Sequence, residues 1–67
     1  PDEDALLFYR VIAQLAKSKL HAGGLLYFEI NEALGQEVVE LLESAGFKDV
    51  ILKQDIFGKD RMVKAVN

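Results

Sequence analysis

Few side chains in this sequence have a type and spacing suited to chemistry. His21 is the single histidine, and the chain has no cysteine, so nothing of that kind can join it as a metal ligand. It stands beside Lys19 in a loop-like stretch and reads as a solvated residue. The pair Gly23-Gly24 precedes an apolar run instead of following one, the wrong side for a phosphate held at a helix N-terminus, and reads as a turn. Glu37, Glu40 and Glu43 recur at the spacing of the solvent face of an amphipathic helix. Two places offer more. Glu29 puts a carboxylate near the C-terminal end of the run Leu25 to Ile30, and in open α/β sheets that edge is where ligands sit. A structural ion pair with Arg61 or Arg10 is its other reading. Phe57-Gly58-Lys59-Asp60-Arg61 joins an aromatic, a flexible glycine and an arginine in what reads as a hairpin leaving from the same edge, either a plain turn or a substrate contact.

The elements that position these groups follow from the apolar period. From about Asp4 to Lys19, Phe8, Val11, Ile12, Leu15 and Ala16, with Ala5, Leu6, Tyr9 and Ala13, cover well over half of a helix, leaving Arg10, Gln14 and Lys17 as its polar strip. Asp2 or Asp4 caps it, and the acidic start suits the helix dipole. So wide a stripe predicts contact with both a sheet and a second helix. Leu25 to Ile30 is apolar on both faces except at Glu29, which predicts a strand covered on both sides. Asn31 is an N-cap, while Gly35 leaves the first turn of the next element open between helix and extended loop. In its body Leu34, Val38, Leu41, Leu42 and Ala45 form one stripe; Gly46 falls at the left-handed position after the helix, and Phe47 folds back onto Leu42 or Leu41. Val50 to Gln54 and Met62 to Val66 read as strands joined through residues 55–61. The order is α-β-α-β-β, with the first two strands parallel through a crossover and the last antiparallel.

Composition narrows the function classes. Sixty-seven residues without cysteine make one small domain lacking any disulfide staple, and the apolar share of 51% supplies a thin core. Eight basic residues stand against eleven acidic ones, and three of the acids are Asp2, Glu3 and Asp4. The remainder balances, so no field points to nucleic acid or to an anionic membrane. Uninterrupted apolar runs such as Leu25 to Phe28 are too short to span a bilayer, and the acidic opening does not resemble a signal peptide. A cytoplasmic setting is expected.

Tyr9-Arg10-Val11-Ile12, Leu20 with Gly23-Gly24, Phe28-Glu29-Ile30, Gly35-Gln36-Glu37-Val38, Ala45-Gly46-Phe47 with Val50, and Asp55-Ile56-Phe57-Gly58-Lys59-Asp60-Arg61-Met62-Val63 succeed one another in this order. That succession resembles the C-terminal end of the HemK (PrmC) family, S-adenosylmethionine-dependent enzymes that methylate the side-chain amide nitrogen of a glutamine in peptide chain release factors. The resemblance runs from about Ala5 to Val66. Its most specific pieces are Glu29-Ile30 followed by Gly35, and the set Asp55, Gly58, Asp60 and Arg61. The chain departs from the family at Asn31, where glycine is usual, and at Leu34, where glutamine is frequent.

The resemblance implies that residues 1–67 form a C-terminal subdomain of a Rossmann-like class I methyltransferase sheet. They would contribute its last three strands, with the final one antiparallel and central, and two helices on one face. It implies a parent that uses S-adenosylmethionine and acts on a release factor. The family's glycine-rich cofactor loop and its Asn-Pro-Pro-Tyr motif have no counterpart here, since Pro1 is the single proline. Without the motif that orients the reacting amide, this fragment is expected to be inactive and to bind no cofactor. No catalytic, cofactor-binding or metal-binding residue is therefore assigned. Glu29, Phe57, Asp60 and Arg61 are the substrate-proximal candidates, with Arg61 either pairing Glu29 or contacting the release-factor loop. The alternative is a free-standing module that associates with a partner, or with itself, through the sheet face its helices leave bare. Another class I methyltransferase with a different acceptor is a third reading, opposed by the Asp-x-x-Gly-x-Asp-Arg ending.

Overall fold

Helical and strand periods follow one another along the chain as the apolar pattern requires. The computed structural model describes residues 4–67, in the order α1 (Leu7–Lys19), β1 (Leu25–Glu29), a 3₁₀ turn (Glu32–Leu34), α2 (Gly35–Ser44), β2 (Lys48–Gln54) and β3 (Asp60–Val66). The expected cap at Asp2 lies outside the described residues. Asp4 acts two residues ahead of the cap position, which is Leu6: its Oδ1 accepts from the Leu6 amide at 3.1 Å, and its other oxygen pairs with Arg10. The helix therefore starts three residues later than the apolar period alone suggests.

The sheet is antiparallel with the order β1-β3-β2, so the last strand is central, and β1 and β2 run the same way on either side of it. Val63 and Ala65 of β3 are fully buried beneath Val38 and Leu42 of α2, and Tyr9 and Ala13 of α1 complete the same core with Ile30 and Phe47. Both helices thus lie on one face. Tyr9 stacks on Phe28 of β1 with ring centroids 5.8 Å apart, and α1 also touches α2, so the wide stripe has the two neighbours it predicted.

Two expectations are corrected. β1 is not covered on both sides: Leu26 and Phe28 face the core, while Leu25, Tyr27 and Glu29 are exposed. The cause is that all helical mass of the chain falls on the other face. Tyr27 and Ile51 flank Lys64 in one cross-strand row of this bare face, with the Lys53 ammonium over the Tyr27 ring. The second correction concerns β2, which starts at Lys48, two residues early. Asp49 adopts a positive φ of 51° where the register shifts between Lys48 and Ile51, a bulge that residue type alone does not announce.

Local chemistry closes the elements. Asn31 Oδ1 accepts from the Ala33 amide at 2.9 Å and caps the 3₁₀ turn, so the segment left open between helix and loop is helical. Gly46 has a φ of +96°, and Phe47 turns back to donate its amide to the Leu42 carbonyl at 3.0 Å. Along β1, the Ile30 amide donates to Arg61 O and the Asn67 amide to Gly24 O. In an antiparallel ladder these pairs alternate, so the amides of Leu25, Tyr27 and Glu29 point away from β3 to an unpaired outer edge.

Candidate functional site

The loop between β2 and β3 leaves the sheet at the end where β1 finishes, since Ile30 pairs with Arg61 and Glu29 lies opposite Met62. Asp55 knots this loop. Its Oδ1 accepts from the amides of Phe57 (2.8 Å) and Lys59 (3.0 Å), and its Oδ2 accepts from Arg61 Nε (2.8 Å). Backbone bonds from Asp55 N to Lys59 O and from Gly58 N to Asp55 O close the turn, and Gly58 supplies the positive φ of 80° that it needs. The Arg61 hydrogen bond, aided by the loop amides, holds the Asp55 carboxyl below the usual carboxylate range, while Asp55 pushes the Arg61 guanidinium up.

Two further contacts join the knotted loop to the 3₁₀ turn and to the start of α2. Lys59 Nζ lies 3.8 Å from a Glu32 carboxylate oxygen. Asp60 accepts from Gln54 Nε2 at 3.0 Å and packs against Gly35 so closely that a Cβ at that position would sit 2.8 Å from Asp60 Cγ. On the other side of the same end, the Asn31 amide donates to the Tyr9 hydroxyl at 2.9 Å and so links α1 to the chain just after β1. Beyond these ties the loop tip stands free: Ile56 is 93% exposed and Phe57 79% exposed.

The structure brings three of the four candidates into this hairpin. Phe57 is at its tip, Asp60 at its junction with α2, and Arg61 at its base. Glu29 shares the sheet end but is exposed and joins no ion pair among the described residues. Neither expected partner is available to it, because Arg61 is taken by Asp55 and Arg10 by Asp4, each pair only six residues apart in sequence. His21 and the Glu37, Glu40 and Glu43 row are exposed. Two residues that matter were missed. Asp55 carried the resemblance without a role of its own, although an aspartate three residues before a glycine is a turn signal. Gly35 is needed for close approach, which glycine at the first position of a helix could have suggested.

The arrangement presents two exposed apolar side chains on a turn tied by one carboxylate. Gly35 follows β1 and opens α2, and Asp60 packs against it at a distance that leaves no room for a side chain there.

These features define the class: an α/β sheet end with one helical layer, an apolar open face and edge, and a knotted hairpin at the carboxyl end of β1. Relatives make the class specific. The chain is 59% identical, over 94% of its length, to a release factor glutamine methyltransferase of Flavobacterium psychrophilum. It is 52% identical over 97% to one of Bacteroides thetaiotaomicron, and 43% identical over 97% to one of Cereibacter sphaeroides. Over nearly its whole length the chain is thus similar to release factor glutamine methyltransferases, and it spans only 22–23% of their length. No protein-family model matches the chain, and no solved structure does.

Proposed function

We propose that this chain is the C-terminal end of the catalytic sheet of a release factor glutamine methyltransferase. The methyl group of S-adenosylmethionine, held by the remaining three quarters and more of such a protein, is transferred to a glutamine amide nitrogen of a release factor in the cytoplasm. The observation that carries this reading is the 59% identity over nearly the whole chain. The surface supports it. Leu7, Phe8, Val11 and Leu15 of α1, and Leu25, Tyr27 and Ile51 of the sheet, are large apolar side chains left exposed, and β1 has an unpaired edge beside them. A Rossmann-like sheet continuing past β1 would cover all three. The role we assign to these residues is to complete that sheet and to place Glu29, Phe57, Asp60 and Arg61 at its ligand-bearing edge. No direct contact with nucleic acid belongs to this reading, and among the described residues no helix is long and apolar enough to cross a membrane.

The test is methyl transfer by the full-length protein that carries this chain, with purified release factor and labelled S-adenosylmethionine, read by mass analysis of the glutamine peptide. A single added methyl on that glutamine is expected. An unmodified release factor with a stably folded enzyme overturns the proposal. The bare apolar face also favours a second reading, self-association of a free-standing module. It is supported if the chain by itself is a stable dimer whose Tyr27→Ser variant is monomeric.

A further inference from the structure

We infer that Ile56 and Phe57 form an apolar prong that docks the protein acceptor, and that Asp55 is the residue that positions it. This inference rests on the methyltransferase reading above and names the part of the chain that grips the acceptor.

Adjacent large apolar residues at 93% and 79% exposure are costly to leave in water unless something covers them. Most exposed apolar groups of this chain lie on α1 or on the bare sheet face, where the rest of a larger sheet would pack. The prong lies elsewhere, beyond the carboxyl end of β1, as the bond from Ile30 N to Arg61 O places it. That is the end at which open α/β sheets receive their ligands, so the occupant is a substrate and not a further strand. Its chemistry is that of a folded protein surface with an apolar recess, because a glutamine side chain alone offers nothing to match an isoleucine and a phenylalanine.

The prong is also rigid, which a solvent-exposed turn has no need to be. One carboxylate fixes two loop amides and the Arg61 guanidinium, two backbone bonds close the turn, Lys59 pairs with Glu32 of the 3₁₀ turn, and Asp60 packs against Gly35 of α2. Such a prong loses little conformational freedom on binding, and aromatic anchors of this kind carry a large share of interface energy. Charge flanks it in both signs, Lys59 and Arg61 against Glu32 and Asp60, which favours orientation over bulk attraction.

The experiment uses the full-length protein and intact release factor. For wild type, Phe57→Ser, Ile56→Ser, Asp55→Ala and Asp55→Asn, calorimetry gives the Kd for release factor, methyl transfer gives KM for release factor and for S-adenosylmethionine, and thermal unfolding gives Tm. Phe57→Ser and Ile56→Ser should weaken release-factor binding about tenfold or more while Tm and the KM for S-adenosylmethionine hold. Asp55→Ala should weaken it in the same sense. Asp55→Asn should be partly rescued, since its amide oxygen can still accept from Phe57 and Lys59. An unchanged Kd in Phe57→Ser overturns the docking role, and a fall in Tm in that variant overturns it in favour of packing on the protein's own body. A wild type that methylates nothing sinks the methyltransferase reading alone, because the calorimetric Kd values still decide whether the prong docks release factor.

Discussion

Replacing Gly35 by alanine should destabilise the chain, against the usual sign of that change. Gly35 opens α2 with ordinary helical torsions, φ −53° and ψ −53°, and in a helix alanine is better than glycine by about 1 kcal/mol. The added methyl, however, would lie 2.8 Å from Asp60 Cγ and 3.1 Å from Asp60 Cβ. The carboxylate tip can swing, but Cβ belongs to the backbone of β3, which is paired with Gln54 at Asp60 and bonded to Ile30 at the next residue. Relief requires either that Asp60 leave its bond from Gln54 or that α2 lift off the central strand. Overpacking of this kind costs about 1–3 kcal/mol, which exceeds the helical gain and leaves a net loss of about 1 kcal/mol. For a domain of this size that lowers Tm by about 4–8 °C. Thermal and urea unfolding, followed by far-ultraviolet circular dichroism, should be run on wild type, Gly35→Ala, Asp60→Ala and the double variant. The double variant should recover more than additivity allows, by at least about 0.5 kcal/mol. If Gly35→Ala is as stable as wild type and the double variant is additive, the steric reasoning is wrong.

Tyr9→Phe keeps the stacking on Phe28 but removes the acceptor of the Asn31 amide, in a side chain that is 8% exposed; the unfolding free energy should fall by about 1 kcal/mol in urea titration. The knotted hairpin should depend on pH with a definite sign. Because the folded-state pKa of Asp55 is depressed, its contribution is present above the ordinary carboxylate range and lost as pH falls through the lowered value. The amides of Phe57 and Lys59, followed by NMR, should keep their dispersed shifts through the ordinary carboxylate range and collapse toward coil values only as pH falls through the lowered value. In Asp55→Asn the acid-induced change at these two amides should disappear.

Periodicity carried most of the fold. The two helical stripes, the left-handed Gly46 with its returning Phe47, and three short strands were legible because each is set by residues within a few positions of one another. The antiparallel direction of the last strand followed from reading a hairpin, and its central place came with the family resemblance. What stayed hidden was set by distant neighbours. Coverage of β1 on one face only depends on where two helices fall, and a fully apolar run such as Leu25 to Phe28 looks the same whether its second cover lies within the chain or outside it. The partner of Glu29 was misjudged because a local competitor, Asp55, lies at the base of the same hairpin as Arg61. The Gly35 and Asp60 contact joins residues 25 positions apart, and only the β2–β3 register, with Gln54 opposite Asp60, brings them together. Asp55 itself was visible as a turn residue, but its three accepted bonds appear only once the loop has closed.

That this α/β unit is one end of a larger sheet is the claim on which the functional reading stands, and amide hydrogen exchange tests it directly. The outward amides of Leu25, Tyr27 and Glu29 have no partner on β3. In the full-length protein they should be protected as strongly as the inward amides of Leu26 and Phe28, because a further strand pairs with them. If those three amides exchange freely in the full-length protein while Leu26 and Phe28 stay protected, the sheet ends at β1 and the account is contradicted.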